Sequence, residues 1–158
     1  MEHHLISGQA LSEQQHFLAE LAALNAVSSH FGLTLSARGM EEIRLSRKHA
    51  LLDHGRIELG SSAVLEIVNR FCDSPFLLQE EYEVTLAELV DAFYYFKNAC
   101  GEQMTDDELI AAMRERYDAY NGSVEAVTGT TLEALCRARR LGEAYEEITQ
   151  EEDTDDDE

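Results

Sequence analysis

The spacing Ser/Thr-x-x-Glu/Gln lets the two ends of a helix's first turn satisfy each other's orphan amides, and four copies of it stand ahead of apolar runs in this chain. The copies are Ser12–Gln15, Thr85–Glu88, Thr105–Glu108 and Thr130–Glu133. Apolar residues at three- and four-residue spacing follow them. Pro75 is the only proline in 158 residues, so little interrupts a helix once started. Together these features predict an all-α fold.

The spacing predicts a first helix over about residues 13–31, with Phe17, Leu18, Leu21, Leu24 and Val27 on its apolar side and Gly32 as the stop. Ser36 is placed to cap a second helix that ends before Gly55. Gly60-Ser61-Ser62 opens a strongly apolar third helix, broken at Asp73-Ser74-Pro75. Residues 75–82 suit one short turn. Further helices are predicted near 86–100 and 106–120, a single turn after Ser123, and a last helix from about 130 to 140. Leu33–Leu35 and Arg56–Leu59 alternate briefly and admit a short pair of extended segments. The expectation is a single-domain bundle of six or seven helices over residues 12–141.

The length suits one domain, and a domain of this size buries roughly 70% of its extended-chain surface. With 44% apolar and 28% charged residues the composition is globular. The charge is unevenly spread. The net charge is −20, and residues 143–158 carry ten acids and no Lys or Arg. Such a segment cannot offset its ordering entropy, so residues 142–158 are expected to form a disordered acidic tail and residues 1–11 a flexible arm. An acidic surface repels phosphate backbones and anionic lipid, which disfavours direct nucleic-acid or membrane binding. There is no secretory signal pattern, and no apolar run of the roughly 18 residues that suggest a membrane span. Cys72, Cys100 and Cys136 are far apart and form no Cys-x-x-Cys pair. They read as reduced thiols in a cytoplasmic protein, with no metal or cofactor expected.

The strings "HGRIELG", "FCDSPFLLQEEYEVTLAEL", "FYYFKN", "MTDDELI" and "GTTLEALCR" give a further reading. Across about residues 33–140 the chain resembles a bacterial family of small proteins catalogued as a domain of unknown function. The resemblance implies a bacterial cytosolic protein and brings no activity, cofactor or catalytic residue.

Five of the twelve Lys and Arg residues (Arg38, Arg44, Arg47, Lys48 and Arg56) fall between positions 38 and 56. On a helix, Met40, Ile43, Ala50 and Leu51 share a core-facing side, whereas Glu42, Ser46, His49 and Asp53 share a polar one. His49 and Asp53 meet at four-residue spacing, a surface pair with no third metal ligand nearby. Arg47 points into the apolar stripe and is expected to meet a carboxylate from another helix or to bind an anionic ligand. In Asp91–Asn98, Phe93, Tyr94 and Phe96 belong to a core face and Tyr95 points away; Lys97 is expected to pair or snorkel. The cysteines lack a basic partner, and Asp73 beside Cys72 disfavours its thiolate.

No phosphate loop, metal cage or activated nucleophile is present in the sequence. The chain is read as a non-enzymatic protein–protein interaction or regulatory module whose partner has a basic surface, with Tyr95, Tyr117, Tyr120, Glu151 and Asp155 as interaction residues; a homo-oligomer is compatible with this. One alternative is a small-molecule-binding protein or enzyme with a helical pocket lined by Arg47, His54 and Tyr94. Another is an acidic nucleic-acid mimic that binds a DNA-binding protein.

Overall fold

The computed structural model of the chain describes residues 2–58 and 60–142, with the backbone alone at 2–11 and 130. The chain is all-α and single-domain, with α1 at Glu2–Ser28, α2 at Ala37–Asp53, α3 at Ala63–Phe71, α4 at Tyr82–Ala99, α5 at Asp106–Ala119, the single turn α6 at Val124–Val127, and α7 at Thr130–Leu141. Turns of 3-10 helix sit at Ser29–Phe31 and Gln79–Glu81. The described residues contain no strand.

Serine caps mark three of the helix starts. Ser36, Ser62 and Ser123 adopt extended backbone, and their side chains accept from the amides of Gly39, Val64 and Ala126. The Thr105–Glu108 box forms in full, with both reciprocal bonds. The other three boxes do not open helices. Ser12 lies inside α1, Thr85 is buried one turn into α4, and Thr130 is the first residue of α7 behind the cap residue Gly129. In the first two cases helix-compatible residues upstream let the helix begin earlier than its box.

Helix α4 is the axis of the core. It packs most extensively against α2 and also meets α3, α5, α6 and α7, while α1 lies on α2 and α3. Leu21, Ile43, Ile67, Phe71, Leu89 and Phe93 are buried at its centre. Lys97 is buried on the same helix, and its Nζ donates to Met104 O at 2.6 Å and pairs with Asp106 Oδ1 at 2.8 Å. The ammonium thereby ties the α4–α5 turn to the helix it leaves. After α5 the chain reverses at Gly122, where φ is +85° and an added Cβ would stand 2.7 Å from Phe76 Cβ. Only glycine fits there.

Residues 33–36 lie outside any helix and pair with no strand. Side chains take the strand's place. Leu35 N donates to Asn25 Oδ1 at 2.8 Å while Asn25 Nδ2 donates to Leu35 O at 3.1 Å. On the neighbouring residue, Thr34 N donates to Gln79 Oε1 and Gln79 Nε2 donates to Thr34 O, at 2.9 and 3.1 Å. Each amide group mimics one rung of a ladder, which satisfies backbone that a buried loop would otherwise strand. The extended partner expected at 56–59 is therefore not needed.

Candidate functional site

Helix α2 places Arg47 against two other elements. Its guanidinium lies 5.0 Å from the centre of the Phe17 ring of α1. Its Nε donates to Glu58 Oε1 at 2.8 Å, from the loop between α2 and α3. The other oxygen of Glu58 accepts from the Tyr94 hydroxyl at 2.5 Å and from Ala63 N at 3.2 Å, at the start of α3. Burial pushes the Glu58 carboxyl up, but the bonds from Tyr94, Arg47, Ser62 and the Ala63 amide outweigh it and leave the group below the usual carboxylate range. Burial and the facing carboxylate drive the Tyr94 hydroxyl strongly upward, so it remains a donor. Arg47 and Tyr94 thus converge as a ligand site would require, and Glu58 fills the position an anionic ligand would take. A cleft of about 450 Å3 opens outside this cluster, lined among others by Glu13, His16 and Glu20. Its carboxylates make it a poor receiver of a second anion.

His54 stands apart from Arg47 and Tyr94. It ends α2 and lines a notch of about 250 Å3 with Ser46, His49, Asp53 and Asp91. Asp91 comes from α4, and burial together with the charge of Asp53 pushes its carboxyl up, with His49 opposing. The His49–Asp53 face expected from spacing thus gains a second carboxylate from a distant element. Among the described residues no group of three or more His, Cys, Asp or Glu side chains is placed to hold a metal ion.

The exposed tyrosines divide. Tyr117 is buried at 2% exposure, edge-on to Phe71, so it is unavailable as a surface contact. Tyr120 is exposed beyond the end of α5. Tyr95 is half exposed and braced by an edge-to-face contact with Phe96 at 5.0 Å. Beside it, a shallow groove of about 460 Å3 runs between α4 and α6, lined by Ala92, Val124, Thr128 and the carboxylates Glu88, Asp91 and Glu125. Val84, exposed at 63%, extends the same α4 face by one turn, because residues 84, 88, 91 and 95 follow helical spacing. Glu151 and Asp155 lie outside the described residues.

The cysteines are free and buried. Burial raises the Cys72 thiol with Asp73 adding to it, and raises Cys136 to about 11. Neither is an activated nucleophile. Sequence reasoning missed Glu58, Asp91 and the α6 wall of the groove, because each reaches its site from another element and leaves no local spacing signal.

The model of a family of unknown function, DUF6323, matches residues 20–145. The chain belongs to this family. The DUF6323 match takes in the last third of α1, the Arg47–Glu58–Tyr94 cluster and the α4–α6 groove. No curated protein and no solved structure matches the chain. Among the described residues no helix of this DUF6323 member is long and apolar enough to cross a membrane.

Proposed function

We propose that the protein is a non-enzymatic binding module that engages another protein through the groove between α4 and α6. The observation that carries this reading is Tyr95, a half-exposed ring braced by Phe96 beside an apolar floor and three carboxylates. A rigid aromatic side chain on such a floor is the usual anchor of a protein interface. The rim of Glu88, Asp91 and Glu125 selects a partner that offers Lys or Arg around an aliphatic or aromatic contact. The polar clusters elsewhere support the non-enzymatic side of the reading, since Arg47 and Tyr94 are saturated by Glu58 and the Cys72 and Cys136 thiols are held protonated.

A photo-crosslinking residue placed at Tyr95, with Tyr120 as the comparison site, tests the proposal in cells. A single discrete adduct at position 95 that disappears with Glu88→Lys and Glu125→Lys is the expected result. An adduct of the same mass and yield from position 120, or none from 95, would remove the groove as the interface.

A further inference from the structure

The α4–α6 groove and the histidine notch on α2 share a wall. Asp91 lines both: it stands with Glu88 and Glu125 on the groove side and with His49, Asp53 and His54 on the notch side. No other residue is common to the two linings. The arrangement follows from α4 packing most extensively on α2 while also meeting α6. Asp91 is exposed, so its carboxylate is open both to a ligand in the groove and to the imidazoles behind it.

Histidine is the side chain that ordinarily changes charge between about pH 5 and 8. The titratable groups around Asp91 are His49, Asp53 and His54 from α2, Glu88 and Tyr95 from its own helix, and Glu125 from α6. With neutral imidazoles the wall carries the charge of four carboxylates, and protonation of both rings cancels half of it. His49 is already felt at this residue, since it opposes the upward push that burial and Asp53 exert on the Asp91 carboxyl. At physiological salt the Debye length is about 8 Å, so groups along one shared wall act on the groove while remote ones are screened. His16 and His30, on α1 and the turn after it, line neither hollow.

We infer that His49 and His54 make the α4–α6 groove sensitive to pH: in acid their charged rings offset the Asp91 side of its rim, and a partner offering Lys or Arg is held less tightly. This regulation rests on the groove being the interface proposed above. Its direction is fixed by the charges. Neutral rings leave Glu88, Asp91 and Glu125 free to attract a cationic partner, so affinity is highest above the histidine range and falls as pH falls through it. The groups lie near the surface, which keeps the change to about threefold.

Two readouts on the full chain test it. The first needs no partner: a cationic and an anionic nitroxide of the same size are added in turn, and the ratio of their relaxation effects on each amide reports the local potential. The expected ratio at residues 92, 95 and 124–128 favours the cation at about pH 7.5 and falls about twofold by about pH 5.5. With His49→Gln and His54→Gln together it holds steady. A ratio unchanged in wild type, or one that falls as far in the double variant, would overturn the inference. The second readout is the photo-crosslink from position 95, taken in cell extract at the same two pH values. A yield that drops in acid for wild type and not for the double variant is expected, and an equal drop in both would overturn regulation by the notch. Failure of the underlying reading looks different: no adduct at either pH removes the interface, and with it any partner for the notch to regulate, whatever the nitroxides show.

Discussion

Helix α2 carries polar side chains on two faces, and their charges end differently. On the inner side Arg47 meets Glu58, and that carboxylate is also held by the Tyr94 hydroxyl and the Ala63 amide. On the outer side His49, Asp53 and His54 share an open notch with Asp91. The inner carboxyl lies below its ordinary range and the outer one above it. Both carboxylates come from outside α2, so the difference lies in what surrounds them. Glu58 is given donors for its oxygens, whereas Asp91 is given a second carboxylate and partial burial. An enclosed charge that is fully satisfied acts as a structural bolt, and an open one is left for solvent.

The strongest test of that contrast removes the bolt. Glu58→Ala leaves the Arg47 guanidinium and the Tyr94 hydroxyl without their acceptor in a largely buried place. It is expected to lower unfolding stability by about 3 kcal/mol, the usual cost of breaking one side of a buried pair. Urea titration of the variant beside wild type measures it. A loss below roughly 1 kcal/mol, the range of exposed pairs, would mean water enters from the outer cleft and the cluster is not closed. Asp91→Asn in the notch is the matched comparison and is expected to cost nothing measurable.

The same contrast between enclosed and open recurs at residues 33–36. Asn25 is part-buried and holds both backbone groups of Leu35, whereas Gln79 holds those of Thr34 at the surface. Asn25→Ala should cost about 2 kcal/mol, since Leu35 keeps its polar backbone and loses its partner. For Gln79→Ala, water replaces the amide, and about 0.5 kcal/mol is expected. Equal losses in thermal or urea unfolding would show that burial does not set the difference.

These two amide clamps mark the limit of what was legible in the sequence. The helices could be read because their signals are local: the Ser36, Ser62 and Ser123 caps and the Thr105 box sit where the structure starts helices. The boxes at Ser12 and Thr85 mislead for a physical reason. A box needs a non-helical residue at its first position, and nothing before either residue breaks the helix. Arg47 in an apolar stripe announces a partner, because an unpaired charge there is too costly, and the partner exists. Its identity as Glu58, from a loop rather than a helix, depends on a fold-back that no spacing encodes. Likewise Tyr95 and Tyr117 look alike as helical tyrosines, and only the packing of α5 on α3 buries the second.

Acidification separates the two faces by sign. Glu58 titrates lower when folded than its ordinary 4.5, so its contribution is present above 4.5 and is lost as pH falls through its folded value. Asp91 titrates higher when folded than its ordinary 3.8, so its ionised form costs stability at neutral pH, and that cost disappears as pH falls through the raised value. The stability gap between wild type and Glu58→Gln should therefore shrink on acidification below 4.5. The gap between Asp91→Asn and wild type should close from the opposite direction, with the variant favoured at neutral pH. Gaps that move the same way with pH would erase the distinction between the faces.

The smallest effect is expected at His49, and it is informative because it is small. The imidazole is exposed, faces Asp53 one turn away across open solvent, and partly offsets the Asp53 charge felt by Asp91. Replacing it with Ala removes no packed surface, and a surface change of this kind stays within about 0.5 kcal/mol. Its effect should appear elsewhere. Without the imidazole, Asp91 loses the group that opposes its upward shift, so its carboxyl should titrate higher still, read from side-chain carbon shifts of a labelled sample across pH. An unmoved Asp91 would mean that the notch is too open for its groups to interact. A large stability loss would mean that His49 is bound into the fold as firmly as Arg47, and the two faces of α2 would then be alike.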